Sequence, residues 1–201
     1  MRPSRISHAV LIALLVAACG GSGSRPAAPA KASTTTVGAQ GAEAGVNQAA
    51  SSSGRVTSSD GSFQTVIPAG FQDARGQESV INALYLVVGV PHMAIDVVRA
   101  RAPANVNLTQ FADDGLQGLK RISPYNQDFS QITSLTVAGA PARSFSYVGR
   151  TPDGRTAVEA QINVLHDGWA YGIDGSAPSN RFKAIQAAIG RVLANWHWTS
   201  G

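Results

Sequence analysis

Apolar side chains recur at helical spacing in two segments of this chain, and each segment predicts an amphipathic helix. In residues 107–121 they come every three or four positions. Asn107 and Gln110 have the spacing of a capping box there, and Lys120 and Arg121 lie where the helix dipole favours cations. The apolar stripe is Leu108, Phe111, Ala112, Leu116 and Leu119. In residues 179–196, where Ser179 is the expected N-cap, the stripe is Phe182, Ile185, Ile189, Val192 and Leu193.

Alternation of apolar and polar positions predicts strands in most of the remaining segments after residue 55. Residues 62–68 and 132–139 each predict one strand, and residues 82–100 predict two that join at Val90-Pro91-His92. The turn pairs Asp153-Gly154 and Asp167-Gly168 predict a three-strand meander over residues 142–149, 155–166 and 169–174. A short last strand is expected at residues 196–198. The predicted fold is an α+β domain with a single antiparallel β-sheet flanked by helices.

The first nineteen residues closely resemble a bacterial lipoprotein signal with its lipobox. Arg2 and Arg5 are followed by the apolar run Ala9–Ala18, which at ten residues is too short to span a bilayer. Val-Ala-Ala then precedes Cys19, the one cysteine of the chain. The resemblance implies a diacylglycerol on the Cys19 sulfur, cleavage before Cys19 and acylation of the new N-terminus. Two or three acyl chains hold a protein firmly on a membrane.

This signal divides the chain into three segments. Residues 1–18 are the signal peptide, and residues 19–54 are the acylated cysteine and a flexible tether rich in Gly, Ser, Ala and Thr. Residues 55–201 form one domain that must fold without disulfides and without cysteine-ligated metals. The formal charge of +4 falls to +2 when Arg2 and Arg5 are removed, and the remaining charges are scattered, which does not predict a nucleic-acid partner.

The stretch "DGSFQTVIPAGF" (residues 60–71) resembles the opening of domains similar to PsbP of photosystem II and to the Ran-binding Mog protein. Bacterial lipoproteins of the DcrB and LpqN/LpqT types share that fold. The resemblance spans Gly61 to Trp198 and includes "DGWAYGIDGSAP" (residues 167–178). It implies a PsbP/Mog-like domain of a largely non-enzymatic group of accessory and partner-binding proteins. The group has no common catalytic residues to carry over.

No arrangement of residues predicts catalysis, a cofactor or a metal site. His92, His166 and His197 lack the spacing of metal ligands, and each is interpreted as an ordinary surface or edge histidine. Asp113 and Asp114 are neighbours on a helix and therefore point about 100° apart, so they are interpreted as N-terminal helix charge and not as a proton-sharing pair.

Six aromatic residues fall on neighbouring predicted strands. Two interpretations remain open: they fill the core, or some of them line a ligand cleft between sheet and helix that holds an apolar envelope molecule. The residues are Phe145, Tyr147, Trp169, Tyr171, Trp196 and Trp198.

The leading hypothesis is a membrane-anchored, non-enzymatic envelope lipoprotein that presents an accessory domain to a protein partner. One alternative is a carrier or sensor of an apolar small molecule or lipid, and another is a hydrolase whose site is not visible in sequence. Gly20 after the acylated cysteine favours the outer membrane where one exists, by resemblance to the known sorting rule. With a single membrane, the domain faces outward from the cell membrane.

Overall fold

The structure, a computed structural model, describes residues 54–75, 83–89, 92–122, 126–150 and 155–199. It contains two antiparallel sheets and two helices in this part of the chain. The helices are α1 (Leu108–Ile122) and α2 (Phe182–Ala194). The large sheet comprises β3 (Phe71–Asp73), β4 (Tyr85–Gly89), β5 (Met93–Arg101), β6 (Thr133–Val137), β7 (Ala140–Arg150), β8 (Thr156–His166) and β9 (Trp169–Pro178). The small sheet comprises β1 (Arg55–Thr57), β2 (Phe63–Val66) and β10 (His197–Trp198).

The α+β class is confirmed, but the prediction of a single sheet is wrong. The large sheet has the order β3-β4-β5-β9-β8-β7-β6, and β2 lies between β1 and β10 in a separate three-stranded sheet. Trp198 pairs with Phe63, and the Phe63 ring stacks on Trp196 with centroids 3.9 Å apart. The last strand therefore closes the chain against β2 instead of extending the large sheet.

The predicted helices are confirmed, with two corrections at their N-terminal ends. The Gln110 N–H donates to Asn107 Oδ1 at 2.8 Å, so Asn107 caps α1 as expected. Asp113 and Asp114 lie beyond the first turn of that helix, so their interpretation as N-terminal charge is wrong. Ser179 does not cap α2, because residues 179–181 form a 3₁₀ turn ahead of it.

The predicted meander is confirmed as β7, β8 and β9, and its first and third strands are longer than expected. Asp167 and Gly168 have φ values of 48° and 73°, as a two-residue hairpin turn requires. Ala138 and Gly139, between β6 and β7, repeat this geometry with 46° and 84°. The other predicted turn, Asp153-Gly154, lies outside the described residues.

The two faces of the large sheet are covered differently. Helix α2 and the small sheet cover one face, where Ile95, Val97 and Ile173 meet Ile185 and Ile189 in the main core. The backbone approaches closely here: a Cβ on Gly175 would lie 2.4 Å from Ile189 Cδ1. Helix α1 covers part of the other face through a smaller apolar cluster of Leu116, Leu119, Phe145 and Tyr147.

The predicted signal, anchor and tether lie almost wholly outside the described residues, so those boundaries stay predictions. Within the described ranges, no helix is long and apolar enough to cross a membrane.

Candidate functional site

The six aromatic residues predicted to line a cleft divide between the two faces of the large sheet. Tyr171 and Trp169 stand on the α2 face of β9, and Trp196 and Trp198 pack there with Phe63. Phe145 and Tyr147 stand on the α1 face of β7. The six therefore do not line one cleft, and ligand binding by any of them stays a prediction.

The aromatic residues on the α2 face are mostly core. Trp196 is 2% exposed and stacks on Phe63, while Trp198 lies 5.0 Å from Tyr171 between ring centroids. The Trp198 indole N–H donates to the Val137 carbonyl at 3.2 Å. These contacts connect β10 to the hairpin of β6 and β7, so Trp196 and Trp198 pack as core residues.

Trp169 lies at the end of the large sheet beneath two guanidinium groups. The Cζ atoms of Arg99 and Arg101 lie 3.9 and 4.2 Å from its ring centroid, which is cation–π geometry. Arg99 also forms an ion pair with Asp60, with Nε 2.8 Å from Oδ2. The Trp169 ring therefore contacts the guanidinium groups of both Arg99 and Arg101, which lie two residues apart on β5.

The three histidines do not come together. His166 stacks on Trp198 with centroids 4.0 Å apart and contacts Asp167. Arg155 Nη1 lies 3.1 Å from Nε2 of the exposed His92, and His197 is exposed on β10. In the described ranges, no group of three or more His, Cys, Asp or Glu residues is arranged to hold a metal ion.

A groove runs between α2 and the strands β7 and β8, with a volume of about 640 Å³. We call it the α2 groove. Its apolar wall and floor are Ala160, Ile162, Phe182, Ile189 and Leu193. Its polar rim includes Ser130, Thr133, Ser144, Ser146 and Gln186, and none of the described lining residues is charged. Of the six residues from which a ligand cleft was predicted, Phe145 is the one among the described lining residues of this groove.

A second group of residues, on the α1 face, was not anticipated from sequence. Asp96 on β5 lies directly opposite Asp174 on β9, and Asp174 lies directly opposite Gln161 on β8. Glu159 is the diagonal neighbour of Asp174 on the same face, since side chains two residues apart on a strand share a face. We call Asp96, Glu159 and Asp174 the carboxyl cluster.

The carboxyl cluster lies in a buried and polar part of the sheet. Asp96 is 5% exposed, Gln161 is 3% exposed and Asn163 is 2% exposed, while Asp174 and Glu159 are half-buried. The Tyr147 hydroxyl donates to Glu159 Oε2 at 2.6 Å. Asn163 Nδ2 has no hydrogen-bond partner in the described part of the chain.

Burial, the Asp96 charge and the Glu159 charge together raise the pKa of the Asp174 carboxyl well above its ordinary value. Burial, followed by Glu159, likewise raises the pKa of Tyr147. A carboxylic acid that stays protonated beside a second carboxyl can donate a hydrogen bond or a proton, which is the chemistry of paired carboxyl groups in acid–base catalysis. Structural networks of charged side chains show the same perturbation of the pKa.

The sequence did contain a signal for this cluster. Glu159, Gln161 and Asn163 alternate along β8, and Asp96 interrupts the apolar run of β5. Alternating polar residues are expected to face solvent on an antiparallel sheet. The structure instead buries Asp96, Gln161 and Asn163 and leaves Glu159 half-buried.

Comparisons with known proteins bear on the fold. No protein-family model and no curated protein matches the sequence. Among solved structures, the chain is similar to LpqN, which is involved in cell envelope biogenesis of Mycobacterium tuberculosis, with 14% identity and a TM-score of 0.57 over 73% of this chain and 90% of that chain. It is similar to cyanobacterial PsbP (CyanoP) from Synechocystis sp. PCC 6803, with 14% identity and a TM-score of 0.54 over 79% and 98% of the two chains. The resemblance to PsbP-like domains is therefore confirmed at the level of the fold.

Proposed function

We propose that this protein is an envelope lipoprotein anchored through Cys19, and that its domain is a non-enzymatic accessory module that binds a protein partner. The lipobox and the tether of residues 19–54 support the anchor, because they would hold the domain outside the cytoplasm and clear of the membrane. The PsbP-like fold, which LpqN shares, supports an accessory role by analogy of fold.

The observation that carries the binding role is the α2 groove. Phe182 and Leu193 stay half-buried on the flank of the helix, and the sheet beside them presents Ala160 and hydroxyl groups. A groove without charge, with an apolar floor and a hydrogen-bonding rim, suits a polypeptide that inserts one or two apolar side chains and hydrogen bonds at the edges.

Photo-crosslinking in intact cells tests this function. A photoreactive residue replaces Gln186 on the groove rim, and the matched control carries it at the exposed Gln117 of α1. We expect one defined protein adduct from position 186, none of the same mass from position 117, and loss of the adduct in the Cys19→Ala chain, which is not held at the membrane. Equal adducts from both positions, or none from position 186, would contradict the proposal.

A second candidate function is carriage of an apolar small molecule, which the same groove favours because its volume lies within the range of ligand pockets. The Cys19→Ala full chain would then retain lipid through purification and bind an added fluorescent fatty acid. Leu193→Glu places a charge in the groove, and Ala187→Glu places one on the exposed side of the same helix as a control. Binding that Leu193→Glu removes and Ala187→Glu keeps would favour this candidate. An organic extract without lipid and an unchanged fluorescence signal would count against it.

A further inference from the structure

One edge of the large sheet is strand β6, whose own residues include none of the charges or prolines that commonly protect an edge strand. In the described ranges β6 pairs with β7 and with no other strand, and Thr133, Ser134 and Thr136 are exposed. Its five residues are uncharged and include no proline. Natural edge strands are commonly kept short or carry charges, prolines or bulges, because an open edge can pair with another chain.

The opposite edge of the sheet shows the contrast. There β3 has three residues, and Asp73 at its end forms an ion pair with Arg75. The edge of β7 beyond β6 is also covered, because Ser130 N–H donates to the Ser146 carbonyl and Gln127 bridges to Val148. Of the two edge strands in the described residues, β6 is therefore the longer one and the one without a charged residue.

The register identifies the backbone groups that face away from β7. The two-residue turn at Ala138-Gly139 joins Val137 to Ala140 as a hydrogen-bonded pair. Hydrogen-bonded pairs alternate along an antiparallel ladder, so Leu135 and Thr133 also bond to β7. Ser134 and Thr136 then direct their N–H and C=O groups outward, where a further strand would pair.

Grooves flank β6 on both faces of the sheet. The α2 groove reaches Thr133 on one face. On the other, a groove of about 890 Å³ lies between β6 and the start of α1, and Ser134, Asp113 and Asp114 are among its lining residues. We call it the α1 groove. Its one arginine, Arg143, donates to Thr109 Oγ1 at 3.1 Å and to Ser134 Oγ.

The charges of the two grooves indicate what kind of strand fits. The α2 groove is uncharged and has an apolar floor, whereas Asp113 and Asp114 line the α1 groove and are exposed. Two carboxylates against one arginine leave the α1 groove net negative. Side chains alternate across a strand, so a complementary strand has apolar residues on one face and a lysine or arginine on the other.

We propose that an extended segment of the partner protein adds to β6 as an eighth strand of the large sheet, by backbone pairing with Ser134 and Thr136. The segment places apolar side chains toward the α2 groove and a basic side chain toward Asp113 and Asp114. This mode rests on the proposed function and specifies how the partner binds. Main-chain bonds supply affinity in such complexes, and alternate side chains supply specificity.

A surface-displayed library of random short peptides, selected on the full chain purified in detergent, tests the mode. The Thr136→Pro chain lacks the outward N–H but keeps the bonds to β7, and Thr136→Ala is the matched control that keeps the N–H. We expect enriched peptides that alternate apolar and basic residues, bind at least tenfold more weakly to Thr136→Pro, and bind Thr136→Ala within about threefold of wild type. Asp113→Asn with Asp114→Asn should lower binding and its dependence on salt.

Hydrogen exchange supplies the second readout, with the enriched peptide as the probe. The Ser134 and Thr136 amides should exchange rapidly in the chain alone and at least tenfold more slowly with peptide. No enrichment, or enriched peptides that bind Thr136→Pro as well as wild type, would overturn the mode. Protection of these amides in the chain without peptide would also overturn the mode. Protection that rises with protein concentration would then indicate that a second copy of the chain occupies the edge of β6. Protection that does not depend on concentration would indicate that the chain's own tether occupies it.

The failure of this mode is distinguishable from failure of the proposed function. If Thr136→Pro captures the same adduct from position 186 in cells as wild type does, the accessory function stands and strand addition at β6 is overturned. If wild type captures no adduct, the proposed function itself fails.

Discussion

Asp96 on β5 and Asp174 on β9 lie directly opposite each other on the α1 face of the large sheet, with Glu159 as a diagonal neighbour. Like charges in this relation destabilise a sheet, because Cβ atoms of directly opposite residues are about 4.5–5.5 Å apart. Burial, together with the charges of Asp96 and Glu159, raises the pKa of the Asp174 carboxyl well above its ordinary value, which lessens this repulsion.

Asp174→Asn is therefore predicted to make stability less dependent on pH. The pKa of Asp174 is raised in the folded state by burial and by the charges of Asp96 and Glu159. Its contribution to stability is fully present below the unfolded pKa near 3.9 and is lost as the pH rises through the folded pKa. Asparagine does not ionise, so the variant avoids that loss and should be more stable than wild type at pH 7. The expected gain is about 1.4 kcal/mol for each unit by which folding raises the pKa of Asp174.

Urea unfolding at a series of pH values measures this effect. Asp114→Asn, at an exposed position of α1, is the control and should follow wild type. A variant Asp174→Asn that is less stable than wild type at pH 7 would show that the Asp174 carboxylate is stabilised by a favourable contact.

Gly175→Ala is predicted to destabilise the main core. The added methyl would lie 2.4 Å from Ile189 Cδ1 and 3.3 Å from Ile185 Cγ1, so helix α2 must shift or these side chains must repack. Overpacking of this kind costs about 1–3 kcal/mol. Gly190→Ala lies in helix α2, and apart from its chain neighbours and the adjacent helix backbone no atom comes within 4 Å of its Cβ, so it should instead stabilise by up to about 1 kcal/mol. Thermal unfolding of both variants checks the pair, and equal effects would refute the close packing.

Asp60→Asn is predicted to weaken the link between the β1–β2 loop and β5. Burial opposes ionisation of Asp60, but donors from Ser62 and Ser58 and the Arg99 guanidinium outweigh it and lower its pKa. The stability it contributes is present above the unfolded pKa near 3.9 and is lost as the pH falls through the folded pKa. We expect a loss of about 1 kcal/mol at pH 7 that becomes smaller as the pH falls through the folded pKa of Asp60. A loss in urea unfolding that does not change with pH would mean that the carboxylate charge is irrelevant there.

Thr65→Val is predicted to loosen the contact between the small sheet and helix α2. The buried Thr65 hydroxyl donates to the Val192 carbonyl at 2.6 Å. Valine keeps the shape and removes the donor, which should cost about 1–2 kcal/mol. The exposed Thr57→Val on β1 is the control and should change the unfolding free energy by less than about 0.5 kcal/mol. Unchanged stability of Thr65→Val in urea would contradict the role of this bond.

Local features of this fold could be predicted from sequence, because local chemistry determines them. The turn at Asp167-Gly168 needs two residues at positive φ, and the stripe of α1 needs only helical spacing. The pairing of β10 with β2 joins residues more than 130 positions apart in the chain. Alternation identifies such strands but contains no information on their partners, so the second sheet was missed.

The candidate site was less predictable than the fold for the same reason. The α2 groove depends on the position of Phe182 and Leu193 over β7 and β8, which no local pattern specifies. The carboxyl cluster depends on the register that places Asp96 opposite Asp174, and on the burial of polar residues that alternation assigns to solvent.

The account depends most on attachment through Cys19, since a partner in the envelope requires a domain that is exported and held there. Metabolic labelling of cells with an alkyne fatty acid, followed by fractionation, measures this directly for wild type and Cys19→Ser. The account predicts a labelled wild-type chain that fractionates with membranes and begins at Cys19, together with an unlabelled Cys19→Ser chain. An unlabelled wild-type chain that retains Met1 and is recovered from the cytosol would contradict it.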